Sequence, residues 1–218
     1  MIRHLRGFTI VEILIIISVL GILTTIGIMS WNGVTTWSRE RAREQDVRQW
    51  ASTFNLYKSR FIVYPDLPTA DGNGGAKRLC LGDTSYYAAY SNRCGQYQVN
   101  GSSPTKTTEA VDSTTMINNV KKVGNVPTNS GPTVKDTFVG PLVYLYQTTT
   151  GSSVAVDAYF IDFFETGPCS SMKGFGDALN SSDSEYSKIY PGVNGLVSGS
   201  GQTVYVCYLK QSFTYTKS

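Results

Sequence analysis

The chain has 218 residues, and its 19 lysines and arginines against 16 aspartates and glutamates leave a net charge of only +3. A balance so close to neutral excludes a broad basic surface for nucleic acid. The only histidine is His4, which excludes most metal sites and general-base chemistry that use imidazole. The chain also lacks the glycine-lysine loop that binds nucleotide phosphates, so we expect neither an enzyme nor a bound cofactor.

A long apolar run follows a short basic leader at the N-terminus. Arg3 and Arg6 precede residues 8–29, in which Glu12 is the only ionisable side chain. As a helix this run would be about 33 Å long, enough to cross a bilayer core. The positive-inside rule then places the N-terminus in the cytoplasm and the C-terminus outside. We therefore predict a protein of the cytoplasmic membrane.

The residues around Glu12 indicate processing of the leader. Gly7 is small and flexible and Phe8 is bulky, a combination that can enter a protease site. Cleavage between them would give Phe8 a new α-amine, one helical turn from the Glu12 carboxylate. The acid and the amine could then neutralise each other, either within one chain or between adjacent chains. The alternative is that Glu12 lies close enough to the membrane interface to be hydrated.

The segment GFTIVE at residues 7–12, after a basic leader and before an aliphatic helix, resembles the processing motif of type IV prepilins. The resemblance implies that a prepilin peptidase cleaves after Gly7 and methylates the amine of Phe8. It also implies that Glu12 pairs with the Phe8 amine of a neighbouring subunit. Major pilins, minor pilins and the pseudopilins of type II secretion and competence machines share this motif, so it indicates the superfamily and not the role.

The helix is predicted to continue beyond the apolar run. An apolar stripe with spacings of 3, 4, 3 and 4 indicates an amphipathic helix that docks on a sheet. The stripe consists of Val47, Trp50, Phe54, Tyr57 and Phe61. Gly21 and Gly27 weaken the earlier half and mark where the helix could stretch or melt, although close packing through small residues explains them equally well.

Beyond the helix the chain is predicted to be rich in β-structure. Pro65 ends the helix, because proline cannot continue it. Residues 142–149, 154–165 and 203–210 contain alternating β-branched and aromatic residues and predict three strands, the first two joined as a hairpin. A loop is expected up to residue 100, followed by a short helix within residues 107–124.

These elements predict an α+β fold of the pilin type. A long N-terminal helix, with a membrane-spanning first half, would pack on a small antiparallel sheet of three or four strands. The predicted organisation is a leader, a membrane half of the helix, an extracytoplasmic amphipathic half and a β-rich head. Their ranges are residues 1–7, 8–29, 30–64 and 65–218.

Four cysteines lie on the predicted outer side, and three disulfide pairings are possible. We favour Cys80–Cys94 and Cys169–Cys207, which join neighbours in the sequence. The second bridge is similar to the disulfide that bounds the C-terminal region of many pilins. Zinc binding is a weaker alternative because no pair of cysteines is separated by two residues.

One loop resembles the start of a calcium site. Asp71 and Asn73 place oxygen ligands at alternating positions, but the bidentate glutamate of an EF-hand is missing. The same residues are ordinary turn formers, so the calcium interpretation is weak and no metal is predicted.

The functional prediction is a structural subunit of a type IV pilus filament that supports adhesion, twitching motility or DNA uptake. The alternatives are a pseudopilin of a type II secretion or competence machine, and a signal-anchored surface protein that binds a ligand and never polymerises. The resemblance implies as partners identical subunits in a helical filament, the prepilin peptidase, an assembly ATPase, membrane platform proteins and the cytoplasmic membrane. It implies a final location in a cell-surface pilus.

Overall fold

The computed structural model describes residues 9–67, 75–82, 85–87, 94–100, 103–110, 113–131, 133–134, 138–167, 169–177, 196–199 and 202–216. Two compact units divide the chain, Met1–Arg39 and Glu40–Ser218. The predicted four-part organisation is not tested by this division and stays a prediction.

Helix α1 has the bounds Ile10–Phe61. Its side chains are described over residues 10–26 and over the 29 residues of 33–61. Its C-terminus is closed by Ile62, whose φ of 67° is left-handed and whose N–H donates to the carbonyl of Lys58 at 2.7 Å. This is the arrangement in which the residue after the last helical position satisfies a free carbonyl of the final turn.

Ten strands are formed among the described residues, with a second helix, α2, at Thr114–Val120. The strands are β1 Gly75–Cys80, β2 Cys94–Asn100, β3 Ser103–Ala110, β4 Thr133–Val134, β5 Phe138–Val139, β6 Leu142–Thr150, β7 Ser153–Phe164, β8 Phe175–Asp177, β9 Leu196–Gly199 and β10 Gln202–Thr216. A six-stranded sheet has the order β1-β6-β7-β10-β8, with β9 also paired to β10, and a four-stranded sheet has the order β3-β2-β5-β4. Every pairing is antiparallel.

The six-stranded sheet is covered on both faces. One face packs Phe160 against Phe54 of α1, with ring centroids 5.0 Å apart. The other face packs Phe163 against Phe138 of the four-stranded sheet, also at 5.0 Å. Strand β7 is therefore buried at every position of its second half, because side chains on both of its faces meet other elements.

The predicted fold of the pilin type is not shown, and two parts of it are wrong. Within the residues that the structure describes, no helix combines the length and the apolar character that crossing a membrane requires. The predicted membrane-spanning first half of the helix and the predicted location, in the cytoplasmic membrane and then in a cell-surface pilus, are therefore corrected. The predicted small sheet of three or four strands is also corrected, because a six-stranded sheet dominates and a second sheet packs behind it.

The region after the helix was the least well predicted. The predicted loop before residue 100 contains β1 and β2. The short helix predicted within residues 107–124 is confirmed as α2, although the first residues of that range belong to β3. The three strands predicted from alternation are confirmed as β6, β7 and β10, although β10 extends to Thr216. The three confirmed strands are neighbours in the six-stranded sheet, and each contributes side chains to the hydrophobic core beneath α1.

Candidate functional site

The start of α1 is closed by a reciprocal pair of hydrogen bonds between Thr9 and Glu12. The backbone N–H and the hydroxyl of Thr9 both donate to Glu12 Oε2 at 2.8 Å. In return the N–H of Glu12 donates to Thr9 Oγ1 at 3.2 Å. This is a capping box, and it satisfies N–H groups that the first turn of a helix leaves without partners. Glu12 therefore has a local structural role that sequence analysis did not recognise.

The side chains that follow Glu12 form an exposed apolar surface. Every described side chain over residues 10–26 is exposed, and the large apolar ones range from 45% for Ile16 to 85% for Ile10. The hydroxyls of Ser18, Thr24 and Thr25 donate to carbonyls one turn earlier in the helix. Those hydroxyls are satisfied locally, so a partner that covers this surface meets chiefly hydrocarbon.

Gly21 leaves an open space on α1, since a Cβ built there would meet no atom within 4 Å. Both Thr24 and Thr25 donate to its carbonyl, at 3.0 and 2.9 Å. Hydroxyls that share a helical carbonyl in this way favour bending of a helix. The predicted flexibility at Gly21 and Gly27 is not tested by these contacts, and the surroundings of Gly27 lie outside the described residues.

Several predicted site residues also lie outside the described residues. These are Gly7 and Phe8 at the predicted cleavage site, and Asp71 and Asn73 at the weak calcium candidate. Within the described part of the chain, no group of three histidine, cysteine or acidic side chains is arranged to hold a metal ion.

Both favoured disulfides are present in the second unit. Cys80 pairs with Cys94, and Cys169 pairs with Cys207. The first joins the six-stranded sheet to the four-stranded sheet through β1 and β2. The second joins the short helical turn after β7 to the centre of β10. Each bridge therefore joins two elements that are not hydrogen-bonded neighbours in one sheet.

A buried charged cluster lies between α1 and the six-stranded sheet. Arg43 Nη1 is 3.3 Å from Asp162 Oδ1, and the carboxylate of Asp162 is fully buried. Burial raises the pKa of Asp162 to about 6, while the nearby Arg43 guanidinium acts in the opposite direction. Burial also raises the pKa of Asp46, opposed by hydrogen bonds from Ser130. Sequence analysis did not reveal this cluster, because Arg43 and Asp162 are separated by 119 positions.

A loop after α2 is tied to α1 and borders a surface cleft of about 740 Å³. Trp50 Nε1 donates to Asn129 Oδ1 at 2.8 Å, and the Ser130 N–H donates to Asp46 Oδ2 at 2.6 Å. Sequence analysis missed this cleft, because the residues that line it come from two separated segments of ordinary loop composition.

Comparison with known proteins adds no family assignment, since no protein-family description, curated protein or solved structure matches this chain. The structure defines an α+β protein in which one helix and a second sheet cover a six-stranded antiparallel sheet. The resemblance to type IV prepilins rests on residues 7–12 and the adjoining leader and helix, and it stays a prediction.

Proposed function

We propose that the chain is a structural subunit of a type IV pilus filament, processed after Gly7 and polymerised through its N-terminal helix. One observation carries the proposal, the exposed apolar surface over residues 10–26, whose first turn holds the lone acid Glu12. Filaments of this kind would support adhesion, twitching motility or DNA uptake.

The exposed surface supplies a driving force for association. Apolar area removed from water stabilises an assembly by roughly 25 cal/mol per Å². Monomeric proteins rarely leave a contiguous apolar patch of many large side chains uncovered, so such a patch favours a protein partner. A heterologous contact between copies of this chain does not close into a ring when its rotation is mismatched, and it then propagates as a filament.

Glu12 would set the register of neighbouring helices. After cleavage, its carboxylate would pair with the Phe8 amine of the next subunit, and a buried pair is costly to break by removing one partner. In the single chain the carboxylate accepts hydrogen bonds from Thr9. The proposed partners are identical subunits, a prepilin peptidase, an assembly ATPase and platform proteins.

The capping box allows the charge of Glu12 to be tested separately from its role at the helix end. Glu12→Gln removes the charge but retains an oxygen that can accept from Thr9, since glutamine also serves in a capping box. Thr9→Ala removes the hydroxyl but retains the carboxylate. Each variant is co-expressed with a prepilin peptidase and an assembly system, the mature N-terminus is measured by mass spectrometry, and sheared filaments are counted by electron microscopy.

We expect both variants to be cleaved after Gly7, with filaments lost in Glu12→Gln and retained in Thr9→Ala. Normal filaments from Glu12→Gln would refute pairing through the charge, and an uncleaved Met1 terminus in the wild type would refute processing. If the chain is cleaved yet is only a trace component of purified filaments, the pseudopilin or minor-pilin alternative replaces the major subunit.

A further inference from the structure

The cleft beside α2 has the size and composition of a ligand site. Its volume of about 740 Å³ lies within the range of small-molecule pockets. It is lined by Gly82, Ser85, Tyr86, Lys121, Gly124, Asn125, Val126, Pro127, Thr128 and Asn129. The set combines an aromatic ring and two aliphatic side chains with hydroxyls, amides and one ammonium group.

The floor of the cleft is held in place by the core. Gly82 has a φ of 152°, and a Cβ there would lie 2.7 Å from Asn129 Nδ2, so only glycine fits. The same amide nitrogen donates to the carbonyl of Leu81. The ring of Tyr86 stands edge-on to the buried Tyr87, with ring centroids 4.8 Å apart. A wall anchored in this way is preorganised, so a ligand bears little cost for ordering it.

The rim carries the groups that remain available to solvent. Lys121, Asn125 and Thr128 are exposed, whereas Val126 and Pro127 are partly buried. Lys121 carries the only formal charge among the described residues that line the cleft. An ammonium group gives a charge-assisted hydrogen bond to a carboxylate, and amides and hydroxyls both donate to and accept from ligand hydroxyls.

We propose that this cleft binds a saccharide that carries a carboxylate, of the hexuronic-acid class. The ring of Tyr86 and the side chain of Pro127 would face the C–H surface of the sugar, while Asn125 and Thr128 contact its hydroxyls. Lys121 would pair with the carboxylate. A single cation suits one carboxylate better than a polyphosphate, which usually recruits several cations or a helix N-terminus.

Gly124 offers a way to close the cleft without disturbing the fold. A Cβ built there meets no atom within 4 Å, and the residue is exposed. Because Gly124 lines the cleft, Gly124→Phe would place a large ring at its edge, whereas Gly124→Ala would add only a methyl group. Lys122 provides the matched charge control, because its ammonium group donates to Asn119 Oδ1 and does not line the cleft.

The experiment titrates the isotopically labelled full chain, in detergent, with digalacturonate and follows amide shifts by NMR. The neutral methyl ester of the same disaccharide and a triglutamate peptide are the comparison probes. We expect saturable binding of the acid at this cleft, weakened roughly tenfold or more in Lys121→Ala and abolished in Gly124→Phe. Lys122→Ala and Gly124→Ala should stay within about twofold of the wild type.

Four results would overturn the proposal. They are no saturable binding of digalacturonate, binding that survives Gly124→Phe, equally tight binding of the methyl ester, and equally tight binding of triglutamate. Asp83, which follows Gly82 in the sequence, lies outside the described residues, so the net charge at the cleft is tested by experiment. Tighter binding of the acid than of its neutral methyl ester would show that the cleft attracts a carboxylate. Because binding is measured on unassembled chains, its failure would leave the filament proposal untouched.

Discussion

Helix α1 contains two apolar regions, of which one is exposed and the other is buried. Over residues 10–26 the large apolar side chains are 45–85% exposed, while Val47, Trp50 and Phe54 are 0% exposed. The residue types are alike, so hydrophobicity alone did not decide burial. The later region meets a sheet through one face only and carries charges elsewhere, whereas the earlier region is apolar all round. A helix that is apolar all round needs partners on every side, and a single small domain does not supply them.

The largest expected effect comes from shortening a side chain in each region. Trp50→Ala should lower the free energy of unfolding by about 3–5 kcal/mol, because it leaves a cavity and removes the donor to Asn129. Ile16→Ala, on the exposed region, should change it by less than about 0.5 kcal/mol. Urea unfolding of unassembled chains followed by circular dichroism measures both. Equal losses would show that the exposed region is already packed within one chain.

The disulfides add a second test of the comparison between the exposed and buried regions, because both bridges stabilise the second unit and neither lies in the first. The chain-entropy relation gives about 4 kcal/mol for the Cys169–Cys207 bridge, with a sequence separation of 38, and about 3 kcal/mol for Cys80–Cys94, with a separation of 14. Paired Cys→Ala variants compared by urea unfolding test that order. A larger loss from the shorter loop would mean that joining the two sheets matters more than loop entropy.

The smallest expected effect concerns pH and the buried Asp162. Its pKa of about 6 in the folded chain exceeds the usual value of about 3.9. The folded state therefore binds a proton more readily than the unfolded state, and stability rises as the pH falls through 6. The gain is at most about 3 kcal/mol, from about 1.4 kcal/mol per unit.

Asp162→Asn isolates this contribution from other titrating groups, including Asp46. We expect the wild type to gain stability relative to Asp162→Asn as the pH falls from 7.5 to 5, measured by thermal unfolding at each pH. A difference that stays constant, or that changes in favour of the variant, would show that the carboxylate is ionised throughout. Arg43 remains in both proteins and is the shared reference.

Local patterns predicted part of the fold well. The alternation in β6, β7 and β10, the apolar stripe that includes Val47 and Phe54, and the end of α1 before Pro65 all reflect period and backbone restriction, which a single segment carries. The second sheet escaped prediction because β3 is polar and lacks a clear period, and because the alternation in β2 is limited to residues 96–100. Neither segment shows, in its own sequence, which strand it pairs with in the folded chain.

The candidate sites also divide into those that a local sequence pattern could predict and those that it could not. Glu12 was singled out because a lone acid in an apolar run is costly, yet its contact with Thr9 was missed although the two are only three residues apart. The capping-box pattern was present in the sequence, so this contact could have been found. The ion pair of Arg43 with Asp162 could not, because no local rule links residues 119 positions apart.

The sequence by itself determined where the chain is apolar, where α1 ends, which three segments alternate as strands and which disulfide pairing was favoured. Only the tertiary structure decided which apolar residues are covered, how two sheets pack, and where charges and a cleft gather around α1. The physical reason is one of range. Periodicity and proline act within a few residues, while burial depends on surfaces that meet only after distant segments have folded together.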